Sequence, residues 1–423
     1  MNRQKDRSSA LNPWLGLTGA LLIQLCLGAT YAWSTFVKNL QTECAVDPVT
    51  SQWVFAVRTA AFALFMIPMG QWLPRFGLRA VAGTCGLLFA LGHMLPFLLP
   101  PSPAVLISTM GLMIGLGMSG GYLAALRVCA TVIPERKGLM IGLAVAAFAM
   151  GAVAASHLGM ALLANQWPVL SGFALLGAIY GAVLLGSALL LPGPAAPPST
   201  TTPSAQPASA QTSELSRELK STARTCFLAK LATNFGGLMV IGNMVPIATT
   251  LGHTPEVGIT GIAAFSFGNA IGRIFWGGWF DRSGPLTIVW SLAAMAVSLI
   301  GLAAFGVAPF LFPVFTFGVG FCFGAAFVLH ASLLTQIFGP AVLQHTYPWV
   351  FTAHGLAAIL GAPTGAWLIA LSGGITAPLA IAAGASLLGM IAFWHRLRSN
   401  SSFGAPAQPS LLPPAPRLQP ASN

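Results

Sequence analysis

The chain has 423 residues, of which 56% are hydrophobic and only 6% are charged. A soluble globular domain carries roughly 25% charged residues, so the composition excludes that class and indicates an integral membrane protein. The net charge of +11 is spread over many short loops, which is typical of membrane topology rather than of a nucleic-acid-binding patch. We therefore expect the lipid bilayer as a partner and no nucleic acid.

The N-terminal segment carries Arg3, Lys5 and Arg7 ahead of a long apolar run. This run, from about residue 11 to residue 37, exceeds the ~7–15 residues of a signal-peptide core, and no clear cleavage site follows it. We interpret it as a retained first span.

A transmembrane helix needs about 20 apolar residues, and this length predicts twelve spans. The runs are continuous, whereas the strands of a membrane barrel alternate over ~10 residues, so the prediction is an all-α membrane protein. The predicted spans are 11–37, 51–73, 79–99, 103–131, 138–163, 167–191, 225–250, 257–280, 285–306, 309–337, 345–371 and 374–395.

Lysine and arginine are concentrated on one side of these spans. With the N-terminus inside, Lys38 alone falls in a loop on the opposite side. This bias predicts that both termini are cytoplasmic, in the inner (plasma) membrane of a bacterium. The basic residues within spans are Arg58, Arg127, Lys230 and Arg273.

Residues 192–223 are rich in Pro, Ala, Ser and Thr, which predicts a disordered cytoplasmic linker. The linker separates an N-terminal six-helix half, residues 1–191, from a C-terminal six-helix half, residues 224–398. A tail of similar character, residues 399–423, is also predicted to be disordered.

The two halves share a short motif at one constant offset. Gly70, Arg75 and Gly77 in the first half recur as Gly277, Arg282 and Gly284 in the second. This repeat is typical of transporters in which two six-helix halves are related by an axis along the membrane normal. Such transporters bind the substrate between the halves, near the midplane.

These loops resemble the signature G-x-x-x-D-[RK]-x-G-x-[RK] of the major facilitator superfamily. The second copy keeps Gly277, Asp281, Arg282 and Gly284; the first keeps Gly70, Arg75, Gly77 and Arg79 but has Pro74 at the acidic position. The resemblance implies that these charged turns take part in gating, with Asp281 latching neighbouring helices in one state.

Four further stretches resemble the oxalate:formate antiporter family, near the monocarboxylate transporters. They are 28-GATYAWSTF-36, 120-GGYLAALRVCATVIPERKG-138, 234-NFGGLMVIGNMVP-246, and Arg273 in the eighth span. In that family, aromatic residues surround the substrate at the positions of Tyr31, Tyr122 and Phe351. Trp33 and Asn269 are further candidates for substrate contact, although aromatic and amide side chains also pack helices.

Arg273 carries a guanidinium that cannot lose its proton, at a depth where a charge is costly. No Asp or Glu lies inside any predicted span. A carboxylate substrate would supply the missing partner, since the guanidinium binds a carboxylate through two parallel hydrogen bonds. The alternative is a structural arginine bonded to helix carbonyls.

His354 occupies the position at which the resemblance implies a second cation, usually lysine. It lies nine residues after His345, and Arg273 lies eight before Asp281, so both are about 12–14 Å from the same membrane face. Histidine titrates near neutral pH, so we expect no permanent second charge. That favours a monocarboxylate such as lactate, pyruvate or formate, with His354 as a candidate proton carrier; a packing histidine is the alternative.

The sequence contains no P-loop, G-x-S-x-G, HExxH or metal-ligand pattern, which favours a carrier over an enzyme or an ATP-driven pump. We expect a monomeric secondary transporter without a cofactor, whose partners are a small carboxylate and, if transport is proton-linked, protons. An oxalate:formate-type exchanger is the first alternative, and a non-transporting carboxylate sensor is the second. A drug/proton antiporter is disfavoured, because that class needs carboxylates within the spans and none lies there.

Overall fold

The computed structural model describes residues 13–132, 137–193, 210–339 and 346–399. Every regular element in these ranges is helical, and twelve helices are long and apolar enough to cross a membrane, which confirms the predicted fold class. The first six are α1 (Pro13–Cys44), α2 (Pro48–Phe76), α3 (Leu78–Leu98), α4 (Pro103–Val132), α5 (Lys137–Ala164) and α6 (Val169–Leu190). The last six are α7 (Ala210–Gly242), α8 (Pro255–Ser283), α9 (Leu286–Phe305), α10 (Leu311–Phe338), α11 (Tyr347–Ser372) and α12 (Thr376–Ser399).

Helix pairing repeats with a shift of six helices. In the first half α1 packs on α5, α2 on α4 and α3 on α6; in the second half α7 packs on α11, α8 on α10 and α9 on α12. Between the halves α2 packs on α11 and α5 packs on α8, and the same shift exchanges these two contacts. The helices are therefore arranged as two equivalent sets of six around a pseudo-two-fold axis.

The turns after α2 and α8 have the same geometry. The backbone N–H of Gly77 donates to the Leu73 carbonyl at 3.0 Å, and that of Gly284 donates to the Phe280 carbonyl at 2.8 Å. Both glycines have positive φ, 81° and 59°, a conformation that residues with a Cβ rarely adopt. The repeated sequence motif thus corresponds to a repeated helix end.

Two carboxylates cap helix N-termini. Asp47 accepts hydrogen bonds from two backbone N–H groups in the first turn of α2 at 2.9 and 3.0 Å, and from the Thr50 hydroxyl. The bond from that hydroxyl lowers the pKa of the Asp47 carboxyl below its usual value. Glu43, near the end of α1, accepts from the first two N–H groups of α6 at 2.5 and 3.2 Å and so ties these helices together.

The first helix of each half is interrupted. In α1 the residues Ala29–Ala32 form a 3₁₀ turn, and α7 breaks at Asn243 before a short extension, Met244–Thr250. The Asn243 amide donates to the Ala362 carbonyl of α11 at 3.0 Å, which satisfies one carbonyl near the break. Both interruptions turn irregular backbone toward protein rather than lipid, as membrane depth requires.

Two predicted boundaries were wrong. α1 continues to Cys44 rather than ending near residue 37. α7 begins at Ala210, so residues 210–223, predicted to be part of a disordered linker, are helical. The stretch 210-AQTSELSREL-219 lacks proline and glycine and contains several helix formers, unlike the proline-rich segment before it. Residues 194–209 and 400–423, also predicted to be disordered, lie outside the described residues, as does His345.

Large apolar side chains cover the outside of the bundle. Ile274, Phe310 and Leu388 are 73%, 72% and 70% exposed. A soluble protein rarely shows such a continuous apolar surface, whereas lipid chains cover it in a membrane protein.

Candidate functional site

Arg273 lies on α8 with its guanidinium turned toward α10. Its Nε donates to Oδ1 of Asn269, one helical turn earlier, at 3.3 Å. Its Cζ lies 4.1 Å from the ring centroid of Phe327 on α10. No carboxylate contacts Arg273 among the residues that the structure describes, so the two Nη groups are available for an anion.

A glycine on α10 sets the position of this turn. A Cβ at Gly324 would overlap the Asn269 carbonyl oxygen and press on the Arg273 backbone nitrogen. Only glycine allows the α10 backbone to lie this close, which is the small-residue packing expected between membrane helices. Asn269, 1% exposed, is held between the two helices and orients the guanidinium.

Aromatic rings from both halves form a closed cage beside Arg273. Tyr31 contacts Phe148 and Phe323, with ring centroids 5.6 and 6.1 Å away. Tyr122 contacts Phe62 at 5.3 Å and Phe148 at 5.9 Å. The rings form a closed loop in which each ring contacts the next. Its members are Tyr31, Phe148, Tyr122, Phe62, His354 and Phe323.

His354 completes the cage from α11. The imidazole is fully buried, and neither ring nitrogen has a hydrogen-bond partner within the protein. Its centroid lies 6.4 Å from Phe62 of the other half and 5.3 Å from Phe327. Arg273 and His354 therefore flank the same Phe327 ring, as their similar depth in the membrane predicted. An unpartnered buried imidazole is costly unless a ligand or water bonds to it.

Phe351 lies one turn before His354 on the same helix. It contacts Phe62 across the interface at 6.1 Å and Phe327 within its own half at 5.9 Å. Sequence reasoning grouped Tyr31, Tyr122, Phe351, His354 and Arg273 as substrate-binding candidates. The structure connects all five through the contacts of Phe62, Phe323 and Phe327, and we call this cluster of rings the central cage.

Sequence reasoning did not single out Lys230, which also reaches the central cage. This side chain of α7 is fully buried. Its Nζ donates to the Ala326 carbonyl of α10 at 2.6 Å and lies 4.6 Å from the Phe327 centroid and 4.9 Å from the Phe351 centroid. From the sequence we expected no permanent second charge besides Arg273, and Lys230 adds a further basic side chain at the Phe327 and Phe351 rings. The spacing of Lys230, Asn234 and Gly237 places them on one face of α7, but the sequence does not show which neighbour that face meets.

A family model described as Major Facilitator Superfamily matches residues 16–285 and 226–420. The chain belongs to the major facilitator superfamily. Its members are transporters, and the paired halves, the repeated turn and the cage between the halves fit that assignment.

Three relatives align along most of their length. The chain is 27% identical over 362 residues to an uncharacterised transporter of the superfamily, YhjX, from Escherichia coli, covering 82% of this chain and 86% of that protein. It is 24% identical to the oxalate:formate antiporter of Oxalobacter formigenes, covering 86% and 87%. It is 25% identical to apicoplast pyruvate carrier 1 of Toxoplasma gondii, covering 82% of each.

The fold also matches a solved structure of the superfamily. The crystal structure of a D-xylose-proton symporter superimposes with a TM-score of 0.67 at 16% identity, covering 90% of this chain and 97% of that one. At this identity the match concerns the fold alone.

Trp33 lies apart from the central cage. It stacks on Phe173 with centroids 6.3 Å apart and lines a separate pocket of about 10 Å³ together with Arg58 and His93. Arg58 is 3% exposed rather than extended to the membrane surface; its Nε donates to the Met110 carbonyl at 2.8 Å. Met110 belongs to a π-helical segment, Ile107–Met113, whose wider turns leave carbonyls available for side chains.

The signature turns of the superfamily follow α2 and α8, one in each half. Asp281 is exposed and lines a cavity of about 510 Å³ between α8 and α10, with Phe280, Ser332 and Gln336. Gly277 faces α10, while Arg282 and Arg75 are exposed. Arg79 instead donates through Nε to the Leu191 carbonyl at 2.6 Å and ties the first turn of α3 to the end of α6. The described residues show no ion pair for Asp281, so its gating role stays a prediction.

The two halves contact each other at the start of α2 and the end of α7. This side of the bundle is opposite to the side that holds residues 13 and 399. Gln52 at the start of α2 donates through Nε2 to the Gly242 carbonyl at 2.9 Å. A Cβ at Gly242 would meet the Phe55 ring. This contact closes one side of the bundle in the conformation that the structure shows.

No group of three or more His, Cys, Asp or Glu side chains with metal-binding geometry occurs among the described residues. The cysteines are free thiols, five of them buried. Arg127, on α4, is exposed.

Proposed function

We propose that the chain is a secondary active carrier of small carboxylates that works by alternating access between its two halves. The observation that carries this proposal is the Arg273 guanidinium. It is held by Asn269 and Phe327 of the second half, and no carboxylate of the described residues contacts its Nη groups. An anion with a planar carboxylate satisfies both its charge and its geometry.

The central cage suits a small organic anion. The Phe62, Phe148 and Phe323 rings provide apolar walls for a short hydrocarbon body, and the hydroxyls of Tyr31 and Tyr122 can donate to carboxylate oxygens. The names of two relatives, an oxalate:formate antiporter and a pyruvate carrier, support the same substrate class.

Two forms of coupling compete for this carrier. In the first, the substrate is a monocarboxylate such as lactate, pyruvate or formate, and His354 takes up the proton that accompanies it. The two unpartnered nitrogens of the imidazole leave it free to take up a proton once a bound anion offsets the nearby positive charge. In the second, the protein exchanges one carboxylate for another, and His354 serves selectivity only. We propose that both termini are cytoplasmic, as the lysine and arginine distribution supports. We also propose that the carrier lies in a bacterial inner membrane and is a monomer.

The test is uptake by purified protein in proteoliposomes. Formate, oxalate, lactate and pyruvate are each offered with a pH gradient or with internal counter-substrate. Uptake driven by the gradient alone establishes the proton-linked form, and uptake only against internal anion establishes the exchanger. Binding without saturable uptake would favour the carboxylate sensor, and neither binding nor uptake of any of the four would refute the substrate class.

A further inference from the structure

Lys230 is a buried cation whose bonds within the protein are incomplete. An ammonium carries three donors, and the structure gives Nζ one hydrogen bond, to the Ala326 carbonyl. The faces of Phe327 and Phe351 supply further attraction. No carboxylate of the described residues contacts Lys230. A lysine kept at this depth without a counter-charge marks a functional position more often than a structural one.

Lys230 and Arg273 contact the same ring. Nζ of Lys230 is 4.6 Å and Cζ of Arg273 is 4.1 Å from the Phe327 centroid. The two cations are therefore no further apart than the sum of these distances. A charge-assisted N–H···O bond spans about 2.8 Å, so two such bonds and a dianion with a two- or three-carbon body together match this separation in length. Without it, the two like charges repel each other across an apolar cage.

Lys230 also contacts the two rings that lie against His354. Phe327 and Phe351 each contact His354, at 5.3 and 5.5 Å, and the same two rings contact Lys230. The α11 position that is histidine in this chain is thus flanked by a lysine from α7. One turn further along that face of α7, both amide atoms of Asn234 are buried without a partner.

We propose that Lys230 is the second anion-binding group of the central cage and that it selects substrates carrying two negative charges, with Arg273 binding one carboxylate and Lys230 the other. This inference rests on the proposed function as a carboxylate carrier. It changes the favoured substrate from a monocarboxylate to a small dicarboxylate.

The experiment compares two molecules that differ in one charge. Oxalate is a dianion at pH 7, and oxamate is its monoanion of nearly the same shape. The readout is the ratio of their kcat/KM values for uptake into proteoliposomes. For the wild-type protein we expect the ratio to favour oxalate by about tenfold or more, the size of effect that one charge-assisted contact supplies.

Two variants of Lys230 and one control separate charge from structure. Lys230→Gln should lower the oxalate-to-oxamate ratio by about tenfold, whereas Lys230→Arg should keep it above the glutamine value. Lys220→Gln makes the same chemical change at an exposed position of the same helix and should leave the ratio unaltered. The double variant with Lys230→Gln and His354→Lys should restore the ratio, because it returns a cation to the same pair of rings.

The outcomes divide cleanly. The inference is overturned if the wild-type protein takes up oxamate as well as oxalate, or if Lys230→Gln has the same ratio as the wild type. In either case, uptake of pyruvate or formate would leave the proposed function standing. An absence of uptake for every carboxylate overturns both. If Lys230→Gln does not fold, a wild-type ratio near one still overturns the inference, and an oxalate preference in Lys230→Arg close to that of the wild type supports it.

Discussion

Replacing Arg273 should remove most of the transport activity, and the size of the loss can be worked out from its contacts. Nε is occupied by Asn269, and the guanidinium lies against Phe327, so the substrate carboxylate would bond to the two Nη groups. Removing one member of a buried, hydrogen-bonded charge pair costs about 2–5 kcal/mol. For Arg273→Gln we therefore expect kcat/KM to fall roughly 30- to 4,000-fold, at about 1.4 kcal/mol per tenfold.

Arg273→Lys separates the charge from the shape of the guanidinium. Lysine keeps the positive charge but cannot form two parallel bonds in a fixed plane. The loss of one charge-assisted bond costs about 1.5–3 kcal/mol. The expected activity is therefore intermediate, roughly 10- to 100-fold below that of the wild type by the same conversion.

Initial rates of pyruvate or oxalate uptake into proteoliposomes would measure both variants. Arg224→Gln, at an exposed position of α7, serves as the matched control. Equal amounts of protein in the vesicles and unchanged gel-filtration profiles would show that insertion is intact. If Arg273→Gln retained more than a tenth of the wild-type rate, or if Arg273→Lys matched the wild type, the guanidinium would not be the substrate anchor.

Three further changes test neighbouring parts of the argument. His354→Gln keeps a hydrogen-bonding group but carries no proton, so uptake driven by a pH gradient should be lost while exchange persists; persistent gradient-driven uptake would exclude His354 as the carrier of the proton. Gly324→Val should displace the turn that holds Asn269 and cost about 1–3 kcal/mol in stability, seen as a lower melting temperature, whereas Gly384→Val, which meets open space, should not. Asp47→Ala should cost about 1 kcal/mol. Because the pKa of this carboxyl is lowered in the folded state, its contribution is present above the unfolded pKa of about 3.9 and lost as the pH falls through the folded value; a melting difference that does not shrink in acid would contradict the cap.

Hydropathy predicted the twelve spans well because the hydrocarbon core offers the backbone no hydrogen-bond partners. A segment that crosses the hydrocarbon core has to satisfy its own N–H and C=O groups, so a long apolar run becomes a helix whatever its neighbours are. The errors fell where this constraint ends. Residues 210–223 are polar enough to leave the membrane, and helix propensity rather than hydropathy continues α7 there.

The central cage was only partly predictable, because side-chain direction cannot be read from an evenly apolar helix. Tyr31 and Trp33 are two residues apart, and residues at that spacing point away from each other on a helix. Tyr31 faces the cage, and Trp33 packs on Phe173 beside Arg58. The family resemblance favoured Tyr31 over Trp33, but composition alone does not distinguish the directions of the two side chains.

Lys230 was overlooked for a related reason. The predicted span began at residue 225, which placed Lys230 within two turns of the membrane surface, where a lysine can extend to water. In the structure the ammonium turns inward to the Ala326 carbonyl instead. Only the contact with α10 distinguishes the two directions, and a single sequence contains no record of that contact.

The placement of charge in the central cage bears on how the carrier moves. Lys230, Arg273 and His354 all belong to the second half, whereas the described residues of the first half contribute aromatic rings and tyrosine hydroxyls to the cage. Arg58, the one buried arginine among the described residues of the first half, is directed to the Met110 carbonyl and the Trp33 ring. In the proposed carrier, a bound anion would therefore be held mainly by the second half. When the halves rock, the contacts that break and reform are those with the Tyr31 and Tyr122 hydroxyls and the Phe62 ring, each weaker than a charged contact. The substrate can thus change its exposure from one side to the other without its charge being left unpaired.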